Sequence, residues 1–509
     1  MDTKALRQKI LDLAIRGKLV PQDPNDEPAE VLLERIREQK QQMLKEGKFK
    51  KKDIKNDTII FKGEDNLHYE KFQDGTVKCI EEEIPFEVPD GWCWCRLPVI
   101  TTDIFAGGDK PVVYEICLTE SCKIPIFSNG IENEGLYGYT NKPRVTEPSI
   151  TISARGTIGF CCARETPFVP IVRLITITPF KEINLYYLKT VFESLIETGE
   201  GSSIPQLTVP EIKPKLIPIP PVNEQIRLQN KLNQILNYIA NISFEKEELQ
   251  NLLQIAKAKI LNLAIRGKLV PQNPNDEPAS VLLNRIHDEK EELIKQGKIK
   301  RDKKESVIFK GDDNSYYEKM PNGKLNCLDD QLPFELPEGW KWCNLSMIGT
   351  TNIGLTYHPT DIDTQGIMVL RSCNIVNDEI NLTDLVRVKT SIRENQFAQK
   401  DDILICARNG SRSLIGKCAL IPELDEQASF GAFMAIYRTP YFKYIVYFLR
   451  SNFFRSVFND SNSTTINQLT QDMLKRAIVP LPPLAEQLRI VDKITELFER
   501  LSCIEESLN

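Results

Sequence analysis

The chain carries one stretch twice: ILDLAIRGKLVPQDPNDEPA begins at Ile10 and ILNLAIRGKLVPQNPNDEPA at Ile260. Eighteen of the twenty positions agree, the exceptions being Asp12/Asn262 and Asp23/Asn273. A long internal repeat constrains architecture more than any local propensity does. The match extends outward, pairing EPAEVLLERIREQKQQMLKEGKFK from Glu27 with EPASVLLNRIHDEKEELIKQGKIK from Glu277, and IPFEVPDGWCWC with LPFELPEGWKWC. It lapses for more than a hundred residues and returns at SIPQLTVPEIKPKLIPIPPVNEQIRL from Ser203 and TINQLTQDMLKRAIVPLPPLAEQLRI from Thr465. Val222–Glu247 then pairs with the last 26 residues, Leu484–Asn509, and Asn251 onward pairs with Met1 onward. The central segment is thus matched by the C-terminal piece followed by the N-terminal piece, a duplication written on a circle and cut inside a helix. Such a circle predicts chain ends that lie close together. Two long repeats do not make a solenoid of many short ones.

The repeated parts read as helix. Between Pro221 and Gly267, apolar residues recur at spacings of three and four, from Ile226, Leu228 and Leu232 to Ile260 and Leu263, which predicts one helix over 223–266. At 1.5 Å per residue it would span about 65 Å. Its stripe needs a partner, and the expected one is a split helix formed by Leu484–Asn509 and the first 16 residues. A second helix is expected from Pro28 (and Pro278) to Gly47 (and Gly297), with Asp26 or Asp276 as an anion at its start. Each leads into a lysine-rich run, including Lys48, Lys50 and Lys51 in one copy and Lys298, Lys300 and Arg301 in the other. These runs suit either a solvated helix end or phosphate contact. The local reading of the doubled stretch is helix end, turn and helix start. Its near-identity suggests further that each copy meets the same kind of partner.

The divergent stretches, 96–202 and 344–463, hold short apolar runs such as SITISARGTIGFCCA and DDILICARNGSRSLIGKCALI, with one helix expected near the end of each. They read as compact, strand-rich α+β domains. Within them a weak echo survives. Ser153-Ala154-Arg155-Gly156 resembles Cys406-Ala407-Arg408, and in both a strand feeds a loop carrying an arginine. Such an arginine suits a phosphate or a guanine edge, or else the carbonyls of its own loop. Arg155, Thr157, Arg408, Asn409 and Arg412 are candidates for nucleic-acid contact, as are Ser202, Ser203 and Gln206 of GSSIPQ and Thr464, Thr465 and Gln468 of NSTTINQ.

Composition narrows the class. A chain of 509 residues exceeds one ordinary core, and no run approaches the roughly 18 apolar residues of a membrane span. Thirteen cysteines without an export signal point to the reducing cytoplasm. A net charge of −6 argues against a wholly basic surface, although a basic face balanced by acid elsewhere is compatible with it. Catalytic signatures are missing. Gly410 to Cys418 has five residues between its glycines where a phosphate loop has four, and Cys418 stands in place of the metal-binding hydroxyl. The Pro-Pro pairs read Ile219-Pro-Pro-Val222 and Leu481-Pro-Pro-Leu484, lacking the polar and aromatic groups that hold a flipped base in amino-methyltransferases. His68, His287 and His358 have no metal-ligand spacing with acids or cysteines, and Trp92-Cys93-Trp94-Cys95 reads as buried core.

Two divergent domains, each followed by a PP-x-x-EQ-x-R helix, with near-identical arms and cyclic repetition, resemble the specificity (S) subunit of Type I restriction–modification systems. IPPVNEQIRL, LPPLAEQLRI and the doubled LAIRGKLVPQ-P-NDEPA carry the resemblance. It implies an α+β fold of two globular target recognition domains joined by a pair of long antiparallel, coiled-coil-like helices in a cyclic pseudo-twofold duplication. The expected division is 1–54, an N-terminal arm completing the distal helix; 55–221, the first recognition domain; 222–304, long helix plus short arm; 305–483, the second recognition domain; and 484–509, the C-terminal helix. Each recognition domain would read one half of a bipartite double-stranded DNA sequence, with the helices as a ruler for the gap. Two methylation (M) subunits would dock on the constant helices and restriction (R) subunits would join them. The candidate docking residues are Arg16, Lys18, Arg266, Lys268, Glu224, Gln225, Glu486 and Gln487. The chain itself would be non-catalytic, hold no metal or cofactor and work in the cytoplasm. Adenine methylation and ATP-dependent cleavage, with S-adenosylmethionine, ATP and Mg2+, would belong to the partners. Rival readings are a specificity subunit serving a nuclease–methyltransferase fusion that cuts outside its site, a DNA-modifying enzyme, or a helical scaffold without DNA.

Overall fold

A computed structural model of the chain describes residues 2–51, 54–196, 199–200, 206–297, 299, 305–459 and 468–508. It divides into two compact units, Met1–Lys246 and Glu247–Asn509. The division falls within a few residues of the repeat junction at 248–250, so each unit is one copy of the duplication folded on itself.

In the first unit, the helix Thr3–Ile15 opens at Asp2, whose carboxylate accepts from the amides of Lys4 and Ala5. Its buried stripe, Leu11, Ala14 and Ile15, joins the main core, and Arg7 pairs with Glu193 at 3.1 Å. The arm 1–54 and the following domain therefore share one core rather than standing apart. Gly17 closes the helix at φ +65°, where a Cβ would come within 2.4 Å of Pro89. The second helix runs Ala29–Lys45, between Pro28 and the left-handed Gly47, as the proline and glycine predict. From its side Lys40 reaches inward to Asp57 at 2.9 Å, a buried ion pair.

The body of the unit is a four-stranded antiparallel sheet in the order Cys161–Arg164, Ser149–Ile152, Ile175–Pro179, Thr101–Ala106. Its β-branched strands SITI and ITITP are buried throughout. The helix Leu185–Leu195 covers it, capped by the Asn184 side chain on the amides of Tyr186 and Tyr187. Cys93–Arg96 pairs with Leu216–Ile219, which ties the WCWC segment to the chain just ahead of the next helix.

The second unit repeats this plan although its sequence has diverged. Its sheet runs Cys418–Leu420, Ile403–Cys406, Met434–Arg438, Thr350–Ile353, and Lys341–Asn344 pairs with Ile478–Leu481. One expectation changes. YIVYFLRSNFFRSVF forms two helices, Phe442–Arg450 and Asn452–Asn459, not one. Ser451 is extended between them, and its hydroxyl accepts from the Phe454 amide, capping the second helix.

The helix Val222–Ile265 is 44 residues long, within a residue of the expected bounds at each end. Its first part belongs to one unit and its remainder to the other. In the second unit Lys257 pairs with Glu505 of the helix Leu484–Leu508 at 2.7 Å, and Leu261, Ala264 and Ile265 share a core with Ile490 and Ile494. Among the described residues no helix is long and apolar enough to cross a membrane.

Candidate functional site

The strand Ser149–Ile152 runs out into Ser153-Ala154-Arg155, and Ile403–Cys406 runs out into Ala407-Arg408. In each unit the carbonyl before the arginine is taken by a residue from the far end of the domain. Leu207 N donates to Ala154 O at 3.2 Å, and Leu469 N donates to Ala407 O at 2.7 Å. These matching bonds bring in the neighbouring glutamines. Arg155 Nε donates to Gln206 Oε1 at 2.9 Å, and an Arg408 terminal nitrogen donates to Gln468 Oε1 at 2.5 Å. Two candidates about fifty to sixty positions apart in sequence thus meet in each unit, through Nε in the first and a terminal nitrogen in the second.

Both arginines are exposed at their loops. The glutamine oxygen occupies part of each guanidinium fork, and the amide nitrogen beside it remains a donor. The pair therefore presents a planar, cationic array of N–H groups, suited to a phosphate or to the O6/N7 edge of guanine. The side chains bond a glutamine rather than their own loop carbonyls.

The other candidates scatter around these pairs. Thr157 is half-buried with no hydrogen-bond partner for its hydroxyl among the described residues. Asn409 accepts from the Ser411 amide and reaches Ser372 Oγ at 3.4 Å. Arg412 is exposed in the short turn Arg412–Leu414. Ser202, Ser203, Thr464 and Thr465 lie outside the described residues, as do Lys298, Lys300 and Arg301 of the second lysine run.

The EQ-x-R motif has a different role from the docking expected of it. Glu224 is 1% exposed and accepts from Trp92 Nε1 at 2.9 Å and Gln22 Nε2 at 3.1 Å. Gln225, fully buried, accepts from the Asn184 amide and donates to Pro220 O. Arg227 pairs with Asp26 at 2.5 Å and holds that carboxyl below its ordinary range, so Asp26 serves the long helix rather than the start of its own. The second unit repeats the design. Glu486 accepts from Trp340 and Gln272, Gln487 donates to Pro482 O, and Arg489 pairs with Asp276. Burial, opposed by these hydrogen bonds, pushes the Glu224 and Glu486 carboxyls upward. Groups so enclosed have no surface for a partner, so Glu224, Gln225, Glu486 and Gln487 are corrected from docking residues to internal ties. The near-identity of the doubled stretch follows in part from this network, because its Gly17, Gln22 and Asp26 all close onto their own unit.

The remaining docking candidates reach the surface. Lys18 and Lys268 are exposed. The Arg16 guanidinium lies 4.4 Å from the Phe86 ring centroid and pairs with Asp12, while that of Arg266 lies 4.7 Å from Phe334. The thiols of the WCWC segment are buried core, and burial drives that of Cys93 up to about 12. One group escaped the sequence reading. His68 Nδ1 and Glu81 lie 2.8 Å apart with Glu87 beside them, ligand types that a divalent cation accepts, although Lys62 also stands 3.5 Å from Glu87. The pairing of His68–Lys71 with Val77–Cys79 turns the chain back so that the His68 amide also donates to Glu81, a closeness that linear spacing does not reveal.

Residues 101–254 and 337–509, more than half of the chain, match the family model described as the Type I restriction modification DNA specificity domain. The chain is 29% identical to the Type I restriction enzyme EcoAI specificity subunit of Escherichia coli, over 97% of this chain and 89% of that one. It is 27% identical to the EcoEI specificity subunit of Escherichia coli, again over 97% and 89%. A solved chain from work on complex assembly and conformational transition of the type I R-M system covers 83% of this chain and 94% of its own length. It matches with a TM-score of 0.51 at 15% identity, a likeness of fold.

Proposed function

This chain belongs to the Type I restriction modification DNA specificity family, and we propose that it is the non-catalytic subunit that reads a bipartite DNA target, one half-site per unit. The observation that carries the reading is the Arg155–Gln206 and Arg408–Gln468 pairs, which occur at matching places in two copies whose surroundings differ. Like frames with unlike loops are what two unlike half-sites require. Phosphate contacts from such arginines would set register, and base-edge contacts would set sequence.

The long helix Val222–Ile265, with Leu484–Leu508 and the N-terminal helix, would act as the ruler for the gap between half-sites. Methylation subunits would dock on the exposed parts of the duplicated joint, where Arg16, Lys18, Arg266 and Lys268 remain candidates. Restriction subunits would join that complex, and S-adenosylmethionine, ATP and Mg2+ would be bound by the partners. Selection from random duplex DNA by gel shift, with and without the methylation subunit, tests the reading. Recovery of two short fixed sequences separated by a constant gap is the expected result, and a pool with no such motif overturns it.

A further inference from the structure

The geometry points to a second reader in each unit, Arg173 in the first and Phe433 in the second, at one equivalent turn beside the arginine loop. This rests on the DNA-reading function proposed above. The equivalence is structural: the isolated bridges Gly108↔Ile171 and Leu355↔Gly431 occupy the same place in the two units. Two residues later come Arg173 and Phe433. In both turns the amide three residues on closes the loop, Leu174 N to Ile171 O at 3.0 Å and Met434 N to Gly431 O at 2.8 Å.

Each turn is built to hold its place. In the first unit Val172 and Arg173 both lie in the left-handed region, at φ +51° and +59°. That conformation is costly for a β-branched residue, and such strain concentrates at functional sites. The backbone is pinned by Val172 N to Gly108 O and Arg173 N to Gly107 O, and a Cβ on Gly107 would strike the chain at Pro170 and Ile171 within 2.8 Å. Gly354 gives the same close approach to Gly431 in the second unit.

Each turn is also wired to its arginine loop. Asn129 bridges them in the first unit, accepting from Ala154 N at 2.8 Å and donating to Val172 O at 2.7 Å. In the second unit the link is direct, the amides of Ala407 and Arg408 both donating to Phe433 O. Phe433 is 59% exposed, its ring centroid lies 5.7 Å from the Arg408 guanidinium, and it lines two cavities of about 480 and 340 Å³. Val172 and Arg173 are exposed too, and the Arg173 side chain has no ion-pair partner among the described residues.

A fork of donors and an apolar ring at one position of two like frames imply different base preferences. Arg173 suits the O6/N7 edge of guanine, and Phe433 suits the methyl group of thymine. The full chain, assembled with its methylation subunits, is used to methylate a randomised duplex library, comparing wild type with Arg173→Gly, Arg173→Lys, Phe433→Ala and Phe433→Leu. Glycine accepts the positive φ at 173, so folding is not at stake there, and thermal melting controls the other variants. The Arg173 variants are expected to lose roughly 5- to 150-fold discrimination at one G·C position in one half-site only. The Phe433 variants are expected to relax one T·A position in the other half. An unchanged motif, or equal loss on all sequences as from a phosphate contact, overturns the inference while the bipartite motif stands. A wild-type complex that yields no bipartite motif overturns the proposed function and this inference with it.

Discussion

Replacing Glu224 by alanine tests whether the EQ-x-R motif is structural. The buried carboxylate receives the Trp92 indole N–H and the Gln22 amide. Without it the indole donor is buried and unpaired, costing about 1–3 kcal/mol, while Gln22 keeps Gly17 O and loses one bond worth about 0.5–1.5 kcal/mol. The sum, roughly 1.5–4.5 kcal/mol, would lower hydrogen-exchange protection in the strands Ser149–Ile152 and Ile175–Pro179 by roughly 10- to 1,600-fold, at 1.4 kcal/mol per tenfold. Strands of the second unit should keep their protection. Glu224→Gln retains one acceptor oxygen and should fall between wild type and alanine. The pH dependence has a defined sign. Burial raises the folded carboxyl above its ordinary 4.5, so this group's contribution is most favourable below 4.5 and declines as pH rises through the folded value, a slope Glu224→Gln should abolish. Exchange mass spectrometry on the full chain reads all of this. Protection unchanged within twofold in the first unit would refute the structural role.

Asp57→Asn should destabilise the first unit by roughly 3–5 kcal/mol, because it strands the buried Lys40 ammonium. Glu305→Gln at the matching but more open Lys290 pair should cost less than about 1 kcal/mol, and the same exchange experiment compares the two. Gly17→Ala should cost roughly 2–5 kcal/mol through left-handed strain and collision with Pro89, whereas Gly47→Ala, with nothing within 4 Å, should cost about 1–2 kcal/mol; thermal melts distinguish them. Deleting one turn from Val222–Ile265 should change the spacer and leave both half-sites unaltered, read by methylation mapping.

The frame was legible because helices announce themselves. Pro28, Gly47, Pro221 and Gly267 bracket segments whose ends fall within two residues of those expected. The arginine and glutamine candidates were legible as residue types but not as pairs, since a backbone bond across the domain brings them together. The buried Glu224 and Glu486 misled because charge normally marks surface, and donors more than a hundred positions away, the indoles of Trp92 and Trp340 and the amides of Gln22 and Gln272, make their burial tolerable. Arg173 and Phe433 share no sequence signal. Their equivalence exists only in the sheet, where Ile171 and Gly431 make the same bridge. Ser451 shows the reverse case, a local cap that splits an otherwise continuous apolar periodicity.

The central claim is that each unit reads its own half of the target. The direct measurement is a base-resolved methylation map made with this chain and its partner subunits, before and after residues 96–202 are exchanged for those of another family member. One half of the recognised sequence should change while the other half and the gap persist. A change in both halves, or in neither, would contradict the account.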